Sequence, residues 1–262
     1  MSRPERAARL VLALAVGSLA SGCGKGNLVS GAPERTTHRA VGHPRAGTGA
    51  AAPTPVSIPL KLTAARAEAF ARAVNLIPVD VPGSHRSARS PSLQSQKEEV
   101  AGECADSPAA AVGGGRSAKL DRGSELETES VSSSVVVMGS AAAARRDLAY
   151  ADSRAGLACY TELLRRRLVG ESSATVHIGR VSVTPLRIGR VPRPQASGLR
   201  IEAQISGVKS GLTIGLFVDA LGFDYGPAEI QLYATSFAQP IAARTEEDLL
   251  ALMAARARLS RL

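Results

Sequence analysis

Apolar and polar residues alternate with a period of two over most of the second half of the chain, and recur every three or four residues in several other segments. The two periods predict strands and amphipathic helices respectively. Leu199, Ile201, Ala203 and Ile205 point one way while Arg200, Glu202, Gln204 and Ser206 point the other, as expected of an antiparallel strand with one buried face. Residues 175–186 read as a strand with a phase shift near Gly179, because Val176 and Ile178 share one parity and Val181 and Val183 the other; this predicts a bulge. Residues 212–223 and 228–237 are the next two strands. The β-branched run at 130–138, with Val131, Val135, Val136 and Val137, predicts another. Helices are expected where a cap precedes apolar spacing. Thr63 starts one with Leu62, Ala65, Ala69, Phe70, Ala73 and Val74 as its apolar face, and Ser140 caps residues 141–151. Gly156 breaks that helix before another at 157–168. Thr245, followed by Glu246, Glu247 and Asp248, starts the last, with Leu249, Leu250, Leu252, Met253, Ala257 and Leu259 facing inward. Residues 84–118 are weakly patterned, with a short helix at 95–100 and a glycine loop at 113–115. The sum is an α+β fold, an antiparallel β-sheet flanked by helices, in one domain over residues 59–262.

The hairpin between the last two strands invites a register. If Leu212, Ile214, Leu216 and Val218 share a face with Ile230 and Leu232, then Val218 opposes Leu232 and Asp224, Tyr225 and Gly226 form a three-residue loop. Phe217 then opposes Tyr233, with Phe223 and Phe237 on the same parity. Most of the few aromatics thus gather away from the aliphatic face, and either helices cover them or they line a ligand groove.

The N-terminus changes the picture of where this domain works. Arg3, Arg6 and Arg9 precede the apolar stretch 10–16, and Leu19 to Cys23 reads Leu-Ala-Ser-Gly-Cys. A basic start, an apolar run too short to span a bilayer and a small-residue cleavage site predict an export signal over residues 1–22. A cysteine directly after the small residues resembles the bacterial lipoprotein pattern, which implies that Cys23 is diacylated and becomes the mature N-terminus. Residues 23–58, rich in Gly, Ala, Pro, Thr and Arg, then form a flexible tether with a root-mean-square reach of about 30 to 35 Å. His38 and His43 lie in it without companion ligands and read as polar linker residues.

With Cys23 assigned to the anchor, Cys104 and Cys159 are left as one pair in an oxidising compartment and are expected to form a disulfide. Their spacing is unlike a Cys-x-x-Cys redox motif; two buried thiols are the alternative. Aromatics make up only 3% of the chain and Trp is absent, so the core is built from aliphatic residues. The net charge of +9 includes the arginines of the signal and tether. On an exported domain that excess meets anionic lipid and wall polymers, and no aromatic–basic interleaving suggests a nucleic-acid binder.

Candidate chemistry is sparse. No nucleophile elbow, Walker-type loop, zinc-protease or calcium-loop pattern occurs, and no metal or cofactor site is expected. His85 and His177 are the only histidines expected in the folded part, and His177, opposite in parity to Val176 and Ile178, reads as a solvated or partner-facing imidazole. Asp219, Asp224 and Glu229 flank the hairpin and read as turn-forming and solubilising charges, with an acid–base pair as the rival. Ser132 to Ser134 read as strand packing. Arg165 to Arg167 close a helix, where they complement its dipole or dock to an anionic surface.

Val-Ser-Ser-Ser-Val-Val-Val-Met at 131–138, Arg145 to Tyr150, Cys159, Phe223 to Leu232, Phe237 with Pro240, and Glu246 to Arg258 resemble a group of exported actinobacterial lipoproteins and the extracellular sensor domains of mycobacterial receptor kinases. That resemblance covers about half the chain. It implies a PsbP-like antiparallel sheet flanked by helices that binds a ligand or partner and does not catalyse. The chain departs from the kinase sensor domains in having one possible disulfide instead of two, and no kinase domain or transmembrane helix. The expected function is therefore a lipid-anchored extracytoplasmic domain, held at the outer face of the cell membrane, that binds a lipid, wall polymer or protein without catalysis. The rivals are a small exported hydrolase or accessory enzyme, a purely structural envelope protein, and secretion without an anchor.

Overall fold

Thr63 caps the first helix as its position predicts, its hydroxyl accepting from Arg66 N at 3.4 Å. The computed structural model describes residues 61–86, 104, 111–123, 128–170, 172–186, 188–189 and 196–262. The signal at 1–22, the tether at 23–58 with Cys23, His38 and His43, and the helix expected at 95–100 lie outside the described residues. Along the chain the elements are α1 (Ala64–Val74), a 3-10 turn (Pro78–Asp80), β1 (His85–Arg86), β2 (Ala111–Arg116), β3 (Leu120–Arg122) and β4 (Glu129–Met138). There follow α2 (Ala141–Asp152), α3 (Arg154–Gly170), β5 (Val176–Pro185), β6 (Ala196–Gly207), β7 (Thr213–Tyr225), β8 (Ala228–Phe237) and α4 (Ala243–Leu259). The strands make one eight-stranded antiparallel sheet in the order β1-β3-β4-β8-β7-β6-β5, with β2 pairing β4 beyond β3. The expected α+β architecture is what forms.

Two apolar cores lie on opposite faces of this sheet and are offset from each other. On one face α1 and α4 cover β4, β8 and the second half of β7, burying Phe70, Val74, Val135, Val137, Leu221, Phe223, Ile230, Leu232, Leu250 and Met253 together. On the other, Leu168 of α3 meets Val176, Ile178, Ala203, Ile205, Leu216 and Phe237 from β5, β6, β7 and β8. Helix α2 adds Ala143 and Ala144 against Val136 and Met138 on that second face. The bulge expected near Gly179 is present: Ile178 pairs Ile205 while Val181 pairs Ala203, so a register shift keeps both apolar pairs on the α3 side.

The hairpin register is a correction. Asp224 pairs Glu229 and Tyr225 pairs Ala228, which leaves the two-residue turn Gly226-Pro227 with Gly226 at φ +59. A glycine with positive φ in the first central position is what a II′ turn needs, and Pro227 sits where its missing N–H is not called on for a ladder bond. Relative to expectation, β8 has slipped by an odd number of residues, which moves every one of its side chains to the other face. The apolar pattern of β7 misled because it changes parity at mid-strand. Ile214, Leu216 and Val218 serve the α3 core, whereas Leu221 and Phe223 serve the α1–α4 core.

Other boundaries differ for equally local reasons. The glycines at 113–115 form strand β2 instead of a loop, and α1 packs onto their backbone. A Cβ on Gly113 would come within 3.1 Å of Ala67 Cβ, and one on Gly115 within 3.2 Å of Ala71 Cβ. The helix accordingly buries Ala67, Phe70, Ala71 and Val74, while Ala65, Ala69 and Ala73 are exposed. Gly156 lies inside the first turn of α3, where a Cβ would sit 2.0 Å from Tyr150 O, so glycine permits the close α2–α3 joint instead of breaking the helix. Helix α4 begins at Ala243 without a side-chain cap, two residues before Thr245, and Leu259 projects into solvent.

Candidate functional site

The register decides where the chemically interesting side chains stand. Phe217 and Phe223 face the α1–α4 side, Tyr233 and Phe237 the α2–α3 side, so the single aromatic face expected from the sequence does not exist. Phe223 and Phe237 are each consumed by a core. Phe217, opposite Glu202 and Ser236, is half-buried, its ring lying close over Gly215.

Tyr233 belongs to a different constellation. Between the α2 patch and the α3 core, the α2–α3 face carries a seam of polar residues. Its rows run Ser132–Tyr233–Ala220, Ser134–Gln231–Gly222 and Val136–Glu229–Asp224 across β4, β8 and β7. Arg116, paired with Ser134 from β2, lays its guanidinium carbon 5.2 Å from the centre of the Tyr233 ring, a cation–π contact. Tyr233 Oη donates to Gln231 Oε1 at 2.6 Å. Helix α2 crosses β4, β6, β7 and β8, and α3 joins it, so Tyr150 of α2 and Tyr160 of α3 meet edge to face with centroids 6.5 Å apart. Three of the chain's four tyrosines thus cluster here. Burial pushes the Tyr160 hydroxyl up to about 12, reinforced by Asp147 and then by Tyr233, Tyr150 and Glu229.

Asp224 and Glu229, expected to be solubilising charges at the hairpin end, are buried and directly opposed. Like charges opposed across a ladder are unfavourable. Burial raises the carboxyl of Asp224 above the usual aspartate range, against a backbone hydrogen bond and the charge of Arg145. Its Oδ1 makes no hydrogen bond among the described residues. The seam therefore combines acceptor oxygens, tyrosine faces and one stacked guanidinium, a set suited to a ligand that offers hydroxyl or amine donors beside an apolar surface.

Asp219, the third acid weighed from the sequence, points to the opposite face and joins a separate group. Arg200 grips it through two bonds, Nε to Oδ1 at 2.8 Å and Nη2 to Oδ2 at 2.6 Å. Glu246, from the first turn of α4, reaches the same carboxylate and is buried. Desolvation first, then its hydrogen bond to Asp219, pushes its carboxyl up to about 9. Glu246 is therefore a neutral acid that pins the start of α4 to the sheet, instead of an exposed charge complementing the helix dipole. Both carboxyls are shut away from solvent, so this group holds the fold.

Cys104 and Cys159 form the expected disulfide, with Cα atoms 5.7 Å apart. Tyr150 Oη also donates to Cys104 O, so the bridge and this bond together tie residue 104 to the α2–α3 joint beside the seam. His177 is exposed on β5 opposite Ser206, as expected of a solvated or partner-facing imidazole, and His85 is exposed on β1. Sequence reading missed Arg116, Tyr150, Tyr160 and Gln231. The one available signal was that Tyr160 adjoins a cysteine expected to be bridged.

No family model matches the chain, and no curated protein matches it. Among solved structures it is similar to the extracellular domain of PknH from Mycobacterium tuberculosis, with 11% identity and a TM-score of 0.30 over 62% of this chain and 70% of that one. A likeness of that size assigns neither the fold nor the ligand of this chain.

Proposed function

We propose that the chain is a lipid-anchored, extracytoplasmic binding domain of the sensor type, whose ligand occupies the polar seam beneath α2 and α3. The carrying observation is that Tyr233, Tyr160, Tyr150 and Arg116 cluster on the sheet face that buries the opposed acids Asp224 and Glu229. A face that served packing alone would be filled with the aliphatic residues that build the two cores beside it. Acceptor-rich lining favours a ligand with several donors, such as a hydroxylated wall-polymer fragment or an amine-bearing headgroup. Anchoring rests on the Leu-Ala-Ser-Gly-Cys sequence at 19–23. Among the described residues no helix is long and apolar enough to cross a membrane.

The test is native mass spectrometry of the protein extracted from its own membrane, in wild type and in a Glu229→Gln, Tyr233→Phe variant. A co-purifying mass in the wild type that is lost from the folded variant supports the seam. An equal mass in both, or none in either, refutes it. A mass that the protein converts to a smaller product on incubation would instead favour the hydrolase.

A further inference from the structure

We propose that the end of the domain built from the β6–β7 turn, the C-terminus of α3 and the loop entering β5 is a docking edge for an anionic lipid bilayer. The turn reads Gly-Val-Lys-Ser-Gly-Leu over residues 207–212. Val208 and Leu212 stand 59% and 57% exposed in it, and Val169 at the end of α3 is 40% exposed.

These three side chains share one hydrogen-bonded scaffold. Gly207 N donates to Leu212 O and Gly211 N to Gly207 O, each at 2.9 Å. Val208 N donates to Thr175 O at 3.0 Å, and Ser172 N to Val169 O at 3.0 Å. Gly211 supplies the positive φ, +65, that closes the turn. The apolar tips are not needed by the core beneath, which Leu168, Val176 and Ile205 already fill.

Exposed cations lie on the elements that meet at this end: Lys209 in the turn, Arg165 and Arg166 on the last turns of α3, and Arg180 further along β5. Glu162 is shared by Arg165 at 2.9 Å and Arg166 at 3.7 Å, and with Glu171 of the loop entering β5 it offsets part of this charge, so cations still outnumber acids at this end. Apolar tips beside exposed cations fit a bilayer, because the tips enter the headgroup–acyl boundary while each cation near an anionic surface adds to the attraction. Val208 and Leu212 project from a tight turn and Val169 from a helix end, as separate apolar points.

The geometry of attachment permits this pose. Ala64 lies against Gly113, which pairs Val137 near the Gly226-Pro227 turn, so the domain's entry point is at the far end of β7 from the proposed edge. That strand's 13 residues span about 43 Å. A flexible tether over residues 23–58, as their composition predicts, would cover such a distance when extended.

The choice of a bilayer as occupant rests on the exported, anchored reading, so the test removes the anchor. The processed chain from residue 23, with Cys23→Ser and its disulfide intact, is floated with vesicles of equal parts phosphatidylglycerol and phosphatidylcholine. It should bind them at least about tenfold more tightly than pure phosphatidylcholine vesicles. Val208→Glu with Leu212→Glu should abolish about tenfold or more of that binding, and because both residues are exposed the variant should keep the wild-type circular dichroism and melting temperature. Equal flotation of wild type and double variant overturns the proposal. So does the absence of wild-type binding, or binding that needs Lys209 but neither apolar tip, which would point to a soluble polyanion. Membrane fractionation of the full chain with Cys23→Ser reports on the anchor separately.

Discussion

A carboxylic acid cut off from water keeps its proton unless something compensates the charge. Glu246 faces Asp219 first, with Arg200 beyond it and Glu247 on its own helix, so its ionisation would set a second negative charge beside a guanidinium already occupied. Its carboxyl is therefore raised from the ordinary value of 4.5 to about 9 in the folded protein. An acid whose folded value is raised contributes its full stability below the unfolded value, and that contribution is lost as pH rises through the folded one. Between about pH 4.5 and 9 the domain should therefore lose up to about 1.4 kcal/mol of stability per pH unit from this group alone. Glutamine imitates the protonated acid. Urea unfolding of Glu246→Gln across that window should show the slope flattened and the variant more stable than wild type at pH 8; an unchanged slope would mean that Glu246 is ionised in the fold. Nothing in the local sequence signalled this, because an acid in a helix's first turn ordinarily stays in water and complements the dipole.

At the scale of elements, what could be read and what could not divide along a physical line. Caps and bulges depend on neighbours within a few residues, so Thr63, Ser140 and the shift near Gly179 fell where the pattern put them. Strand faces depend on what covers each side. β7 passes from the α3 core to the α1–α4 core at mid-length, and one parity could not be assigned to all of it. The same holds for the expected aromatic site, which rested on that parity and dissolved with it, leaving Tyr233 alone of its four members in the polar seam. Glycine strand β2 was unreadable for another reason: it carries almost no side chains, and its value lies in letting α1 sit on backbone. Gly115→Val should accordingly push α1 off the sheet and cost about 1 to 3 kcal/mol, as overpacking does. Gly139→Ala, where a Cβ meets open space, should change stability by no more than about 0.5 kcal/mol. Matched chemical denaturation curves compare them, and equal small effects would contradict the close packing of α1 on β2.

For the whole molecule, the sheet separates two jobs. The α1–α4 side holds the larger core, fastened by Arg256, which grips Asp80 through two bonds of 2.7 Å and donates to Asn75 O at 3.1 Å. The α2–α3 side carries the seam, and its helices have few buried apolar residues of their own, Ala143 and Ala144 in α2 among them. Both helices are tied to residue 104, α3 by the bridge from Cys159 and α2 by the Tyr150 bond to the same residue. The bridge closes a loop of 55 residues, for which chain entropy gives about 4 kcal/mol of stabilisation. If the helices depend on it as this arrangement implies, that loss will not be spread evenly. Hydrogen exchange after mild reduction should show the amides of α2 and α3 losing protection well before those of α1, α4 and the β4–β8–β7 ladder, because local opening follows the weakest packed unit. Ligand recovered from the seam should fall with it, while binding to anionic vesicles, which needs the β6–β7 turn, should fall less. Uniform loss of protection on both sides of the sheet would show instead that the two faces unfold as one unit, and that the bridge stabilises the domain without specifically bracing the seam.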